Sequence, residues 1–220
     1  MLSSGSKKSR KMKKLKNKNA IITGGAGGIG KETAKVLANE GANVMLVDLS
    51  KDKLEKTINE IGNPNIKYVV ANVSSEKDIK NYVNTTTKLF GKVDIFFNNA
   101  GIEGEVQPIT EYSLKTFQKV LDVNIKGVWL GLKYVIPAMN EQGSIIITSS
   151  VAGLQGTANV SPYVASKHAT IGIMRCAALE CAQRNIRVNT INPSPVDNRM
   201  MRSLEEGFSP GQGNDVKKKF

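Results

Sequence analysis

One histidine, His168, and two cysteines, Cys176 and Cys181, are all that this 220-residue chain has of either residue type. Cysteines five apart inside a helical pattern suit neither a disulfide nor a zinc cluster, and they read as small buried side chains. No metal-binding set is expected. The stretch Gly207-Phe208-Ser209-Pro210-Gly211 matches G-x-S-x-G, but a helical pattern precedes it where a hydrolase elbow needs a strand. The single histidine lies far upstream, so the serine triad is incomplete. No apolar run reaches the length of a membrane-spanning helix, and the expectation is a soluble, cytoplasmic protein with no membrane partner. Acids are absent from the first 18 residues, which carry eight of the 31 basic side chains. Beyond them 23 basic residues face 19 acidic ones, so most of the +12 net charge is local to the N-terminus. Residues 1–14 therefore read as a basic, disordered tail rather than as a nucleic-acid-binding body. They lack the apolar core of a secretory signal, and their many lysines with few arginines fit a mitochondrial presequence poorly.

From residue 15 to 220 short apolar runs alternate with amphipathic stretches, the pattern of one α/β domain. Strands are predicted over 19–24, 42–48, 66–73, 93–99, 143–150 and 186–192. Helices are predicted over 30–40, 51–62, 75–90, 113–139 and 163–184, with a short one near 200–206. The near-continuous apolar character of the strands fits a parallel sheet covered on both faces.

Between the first strand and helix lies GGAGGIGKET, residues 24–33. Gly25, Gly27 and Gly30 satisfy the dinucleotide pattern G-x-G-x-x-G, Gly25, Gly30 and Lys31 begin a triphosphate loop, and Gly24, Gly28 and Gly30 make a third spacing. The triphosphate reading fails at Glu32, a carboxylate where a magnesium-binding hydroxyl is needed. The dinucleotide readings require a strand, a glycine turn, a helix and an acid about 20 residues on. Asp48 supplies the acid at the end of the second strand, where it would accept hydrogen bonds from ribose hydroxyls and repel a 2′-phosphate. No basic residue replaces Leu49 or Ser50, so NAD is favoured over NADP, with Lys31 and Lys51 as the basic residues nearby. Tyr163 and Lys167 are four apart and share a helix face, where an ammonium would lower the phenol pKa toward the working range of a general base.

Tyr163-Val164-Ala165-Ser166-Lys167 resembles the Y-x-x-x-K signature of the short-chain dehydrogenase/reductase family. It stands with TGGAGGIG at 23–30, NNAG at 98–101, Asn124 in DVNIKG, and Ser150 thirteen residues before Tyr163. The resemblance covers residues 15 to about 215 and selects Gly24, Gly28 and Gly30 as the functional glycines. It implies a Rossmann-type doubly wound parallel sheet in a single domain. It also implies hydride transfer between a nicotinamide cofactor and a secondary alcohol or ketone. Tyr163 would be the acid/base, Lys167 its partner and a hold on the nicotinamide ribose, Ser150 the hydrogen-bond donor to the substrate oxygen, and Asn124 the holder of a water reaching Lys167. Ile29, Leu49, Asn72, Val73, Asn99, Ala100, Gly101, Pro193 and Val196 would join Asp48 around the cofactor. Family members pair through helices corresponding to 113–139 and 163–184, which implies a homodimer or homotetramer. Two departures stand out: Ser194 replaces a glycine after Pro193, and Asn198 replaces a threonine. The family's last strand and helix are also expected to be missing, which makes a non-catalytic dinucleotide-binding or assembly protein the alternative.

Overall fold

All five residues Asn19–Thr23 of strand β1 are buried, and successive side chains enter opposite layers. Ala20 and Ile22 join one apolar cluster with Ala34, Leu46 and Leu54, while Ile21 joins another with Met45, Tyr82, Phe96 and Ile145. A strand with both faces covered has to be apolar throughout, which explains the unbroken run. In the computed structural model, which describes residues 13–209 and 211, the elements follow as α1 (Gly28–Asn39), β2 (Asn43–Asp48), α2 (Lys51–Ile61), β3 (Ile66–Val70), α3 (Glu76–Phe90) and β4 (Val93–Asn98). The chain continues through α4 (Leu114–Leu121), α5 (Gly127–Val135), β5 (Met139–Thr148), α6 (Ser161–Glu180), β6 (Arg187–Ile191) and α7 (Arg199–Phe208). The six strands form one parallel sheet in the order β3-β2-β1-β4-β5-β6. This is the Rossmann-type α/β architecture. The order reverses between β1 and β4, so their C-terminal ends flank a crevice, the usual ligand position in open parallel sheets.

Local chemistry explains most boundaries. Ser50, Ser75 and Ser113 cap α2, α3 and α4, each accepting a backbone N–H from the third residue on. Gly62 ends α2 in the left-handed conformation at φ 63°. The helix predicted over 113–139 is not continuous. A π-helical turn, Asp122–Lys126, separates α4 from α5, and a short 3₁₀ turn, Ile136–Ala138, precedes β5. Strand β5 begins earlier than predicted because Met139 pairs with Val93, ahead of a register shift that Gln142 passes with φ 60°. Cys181 is buried as expected, but Cys176 is exposed, because it lies on the solvent face of α6.

Most of the predicted basic tail, residues 1–12, lies outside the described residues. The Lys14 N–H donates to a Glu40 carboxylate oxygen at 3.1 Å. Among the described residues no helix is long and apolar enough to cross a membrane.

Candidate active site

The crevice at the switch point is a cavity of about 760 Å³. At one end the chain leaves β1 through Gly24, at φ 64°, and turns into α1. The glycines of this turn divide by direction. A Cβ on Gly30 would stand 2.3 Å from the Gly24 carbonyl oxygen, and one on Gly25 would stand 2.9 Å from Leu46 Cβ, so both glycines let backbone pack on backbone or core. Gly28 faces the cavity, and a Cβ on it would meet nothing closer than Asn198 Cβ at 3.6 Å. Unlike α2, α3 and α4, helix α1 starts from Gly27 with no side-chain cap, and it has no acid in its first turn. Its leading amides therefore face open space with the positive end of the helix dipole, a cradle that fits a pyrophosphate.

Asp48 stands beside this turn. One carboxylate oxygen accepts the Ala26 N–H at 3.1 Å and the other accepts the Leu49 N–H at 2.8 Å. Lys31 is turned away and paired with Glu60, and Lys51 lies 3.6 Å from Glu55. The triphosphate reading of Lys31 loses its phosphate-binding lysine by this geometry. Asn72 and Val73 line the same end, but the Asn72 side-chain oxygen Oδ1 already accepts the Ser74 N–H at 3.0 Å and hydroxyl at 2.8 Å.

A polar network that motif reading missed fixes the middle of the cleft. The Thr23 hydroxyl accepts the N–H groups of Asn99 and Ala100 at 2.9 and 3.0 Å. The Asn99 amide donates to the Thr23 carbonyl at 3.0 Å, and its oxygen accepts the Thr148 hydroxyl at the same distance. The ends of β1, β4 and β5 are thus tied by side chains where the strand ladders stop. Thr23 was visible in the glycine motif, but nothing in its spacing distinguished a hub from a strand end.

At the other end stand Ser150, Tyr163 and Lys167, all lining the cavity. Lys167 is buried, donates to the Thr148 carbonyl at 2.9 Å, and its ammonium lies 5.5 Å from the Tyr163 ring centre. Burial lowers its pKa to about 8. For Tyr163 burial is also the largest influence and raises the value, the Ser150 hydroxyl opposes it, and the Glu103 carboxylate adds a smaller upward push. The expectation that the neighbouring ammonium lowers the phenol pKa is therefore corrected: in this cleft burial raises it.

Asn124 does not line the cavity. The π-helical turn directs it inward, where its oxygen accepts the Ile102 N–H at 2.9 Å and its NH₂ donates to the Ile102 carbonyl at 2.9 Å and to Ser166 Oγ at 3.0 Å. Gly30 is the other predicted residue outside the lining. The remaining predicted cofactor residues, Gly24, Gly28, Ile29, Asp48, Leu49, Asn72, Val73, Asn99, Ala100, Gly101, Pro193 and Val196, are all brought to the cavity wall. Helix α7 covers the cleft with Met200, Met201, Leu204 and Phe208, and Asn198 caps that helix through the Met201 N–H at 3.0 Å.

Fold and cleft together define a Rossmann-type α/β protein with a site at its switch point. The sequence profile of the family described as short chain dehydrogenase matches residues 18–208, and the chain belongs to that family of oxidoreductases. Levodione reductase of Leifsonia aquatica is 38% identical over 206 residues, covering 91% of this chain and 77% of that protein. Cyclohexanol dehydrogenase of Acinetobacter sp. (strain SE19) is 38% identical over 197 residues, covering 88% and 78%. A crystal structure of levodione reductase superposes with a TM-score of 0.89 at 37% identity, covering 94% of this chain and 82% of that one. That of NAD+-bound xylitol dehydrogenase gives 0.84 at 34% identity, covering 94% and 84%.

Proposed function

We propose that the protein is an NAD(H)-dependent oxidoreductase that interconverts a small secondary alcohol and its ketone, with Tyr163 as the acid/base. The observation that carries this reading is that Ser150, Tyr163 and the buried Lys167 share one cavity with the uncapped glycine turn and Asp48. NAD, when bound, supplies the hydride acceptor for the alcohol and, reduced, the donor for the ketone. The Tyr163 phenolate takes the proton from the substrate alcohol in one direction, and the phenol so formed returns it to the oxygen in the other. Ser150 donates a hydrogen bond to that oxygen and stabilises its developing charge. Lys167, protonated, favours the phenolate beside it and offers its remaining N–H groups to the nicotinamide ribose. Asn124 has its side chain satisfied by Ile102 and Ser166, so we assign it to positioning, holding the chain after β4 against α6.

Asp48 supports NAD over NADP, because a 2′-phosphate beside it would meet like charge while Lys31 and Lys51 are engaged with carboxylates. Apolar walls from Val151, Val160 and α7 support an uncharged, largely apolar substrate, as do the names of levodione reductase and cyclohexanol dehydrogenase. Two free thiols fit a reducing, cytoplasmic setting. Assembly into a homodimer or homotetramer would use the exposed face of α6.

Fluorescence titration with NADH and NADPH, followed by turnover on a panel of cyclic ketones, tests the proposal. NADH should bind more tightly than NADPH. Tyr163→Phe should bind NADH within about threefold of the parent yet lose about 10²–10⁴-fold in kcat. Equal turnover by Tyr163→Phe would overturn the acid/base assignment, and NADH binding by the parent without any turnover would favour the non-catalytic reading.

A further inference from the structure

Glu103 is only 6% exposed, two residues past Gly101, yet it is neither part of a motif nor in the cavity lining. Its two carboxylate oxygens accept separate N–H groups from one guanidinium, that of Arg199, at 2.9 and 3.3 Å. Arg199 is the first residue of α7, and its side chain is 68% exposed. The two residues belong to different parts of the site. Glu103 follows Ile102, whose backbone N–H and C=O are both held by Asn124, which in turn bonds Ser166 of α6. Arg199 starts the helix whose Met200, Met201, Leu204 and Phe208 roof the cleft. A forked pair of this kind fixes orientation as well as distance.

We propose that Glu103 and Arg199 are a positioning pair that ties the α7 roof to the frame carrying Tyr163, and that Arg199 also screens the Glu103 charge from the Tyr163 phenol. The inference rests on the oxidoreductase reading for its second half only. Lys167 on its own helix and Glu103 after β4 act on Tyr163, and Arg199 of α7 and Lys119 of α4 are charged groups on the wall of the same cavity. The Glu103 carboxylate disfavours the phenolate, and the Arg199 guanidinium, bound to both oxygens of that carboxylate, is the opposite charge that would offset it. Removing the acid and removing the base therefore move Tyr163 in opposite directions, although both break the same tie.

Glu103→Gln, Arg199→Met and the double variant test this. Trypsin cleavage after Arg202 in the ligand-free protein reads the tie without any need for activity. Each single variant should speed cleavage about fivefold or more, and the double should be no faster than the faster single. The pH profile of alcohol oxidation reads the screening. Its midpoint should fall by about half a pH unit or more in Glu103→Gln and rise by a similar amount in Arg199→Met. Unchanged cleavage in both singles, additive acceleration in the double, or midpoints that move the same way would overturn the proposal. If the parent shows no turnover with any substrate, the oxidoreductase reading fails, and the cleavage series alone decides whether the tie exists.

Discussion

Lys167 is an ammonium taken out of water, and its principal described partner is the Thr148 carbonyl. Its pKa of about 8, against an ordinary 10.5, has a consequence for stability as well as for chemistry. Above 10.5 the side chain is neutral in the folded and unfolded protein alike. As pH falls from 10.5 to about 8 the unfolded chain takes up a proton that the folded protein does not, and folding loses free energy over that window. Lys167→Met should therefore unfold at higher urea than the parent at pH 7. The gain should be about 2 kcal/mol, after allowing about 1 for the lost hydrogen bond, and it should shrink as the pH approaches 10.5. A variant less stable than the parent at pH 7 would contradict the idea that burial of this charge destabilises the fold. The same substitution should remove turnover, so the residue trades stability for chemistry. Tyr163, Lys167 and Ser150 stood out in the sequence through the family resemblance, and the structure brings all three to one cavity. The upward push on Tyr163 was not readable, since desolvation depends on what the folded chain packs around a side chain, which motif spacing does not carry.

Helix α1 shows how two glycines of one motif do different jobs. Gly30→Ala would drive a Cβ to 2.3 Å from the Gly24 carbonyl oxygen, and the turn and helix would have to separate. We expect its melting temperature to fall by about 3–10 °C, with NADH binding lost as well. Gly28→Ala meets nothing closer than 3.6 Å, so its melting temperature should stay within about 2 °C while NADH affinity falls, because the methyl enters the cradle. Calorimetry and fluorescence titration separate the two effects, and equal loss of stability in both variants would refute the distinction. The strand-turn-helix unit was legible because Ile21, Ile22 and the glycines carry both period and punctuation. The break in the predicted helix over 113–139 was not. Its helical periodicity continues through Asp122–Lys126, and the pull of Asn124 toward Ile102, with Gly127 so near Val73 that a Cβ on it would stand 3.0 Å from Val73 Cγ2, accompanies the wide turn. Glu103 and Arg199 were equally hidden, since 96 residues separate the partners.

On the scale of the whole molecule, α6 leaves a face of Ala165, His168, Gly172, Cys176 and Leu179 in solvent, and a Cβ on Gly172 would meet nothing within 4 Å. If this face joins two copies, Gly172→Arg should reduce the mass measured by light scattering to that of a smaller assembly while the far-ultraviolet circular dichroism stays unchanged. An unaltered mass would remove α6 from the interface. The sheet order has a further bearing on how the chain is made. Ile21 and Ile22 of the central strand pair on one side with β2, but on the other with Phe96 and Phe97, about 75 positions later in the chain. At synthesis rates of about 5–20 residues per second, those apolar side chains wait on the order of 4–15 s at the ribosome before their second neighbour emerges. The nascent protein accordingly has an interval in which its most water-averse segment is half covered, and cofactor supplied during translation finds no crevice to enter until β4 has left the exit tunnel.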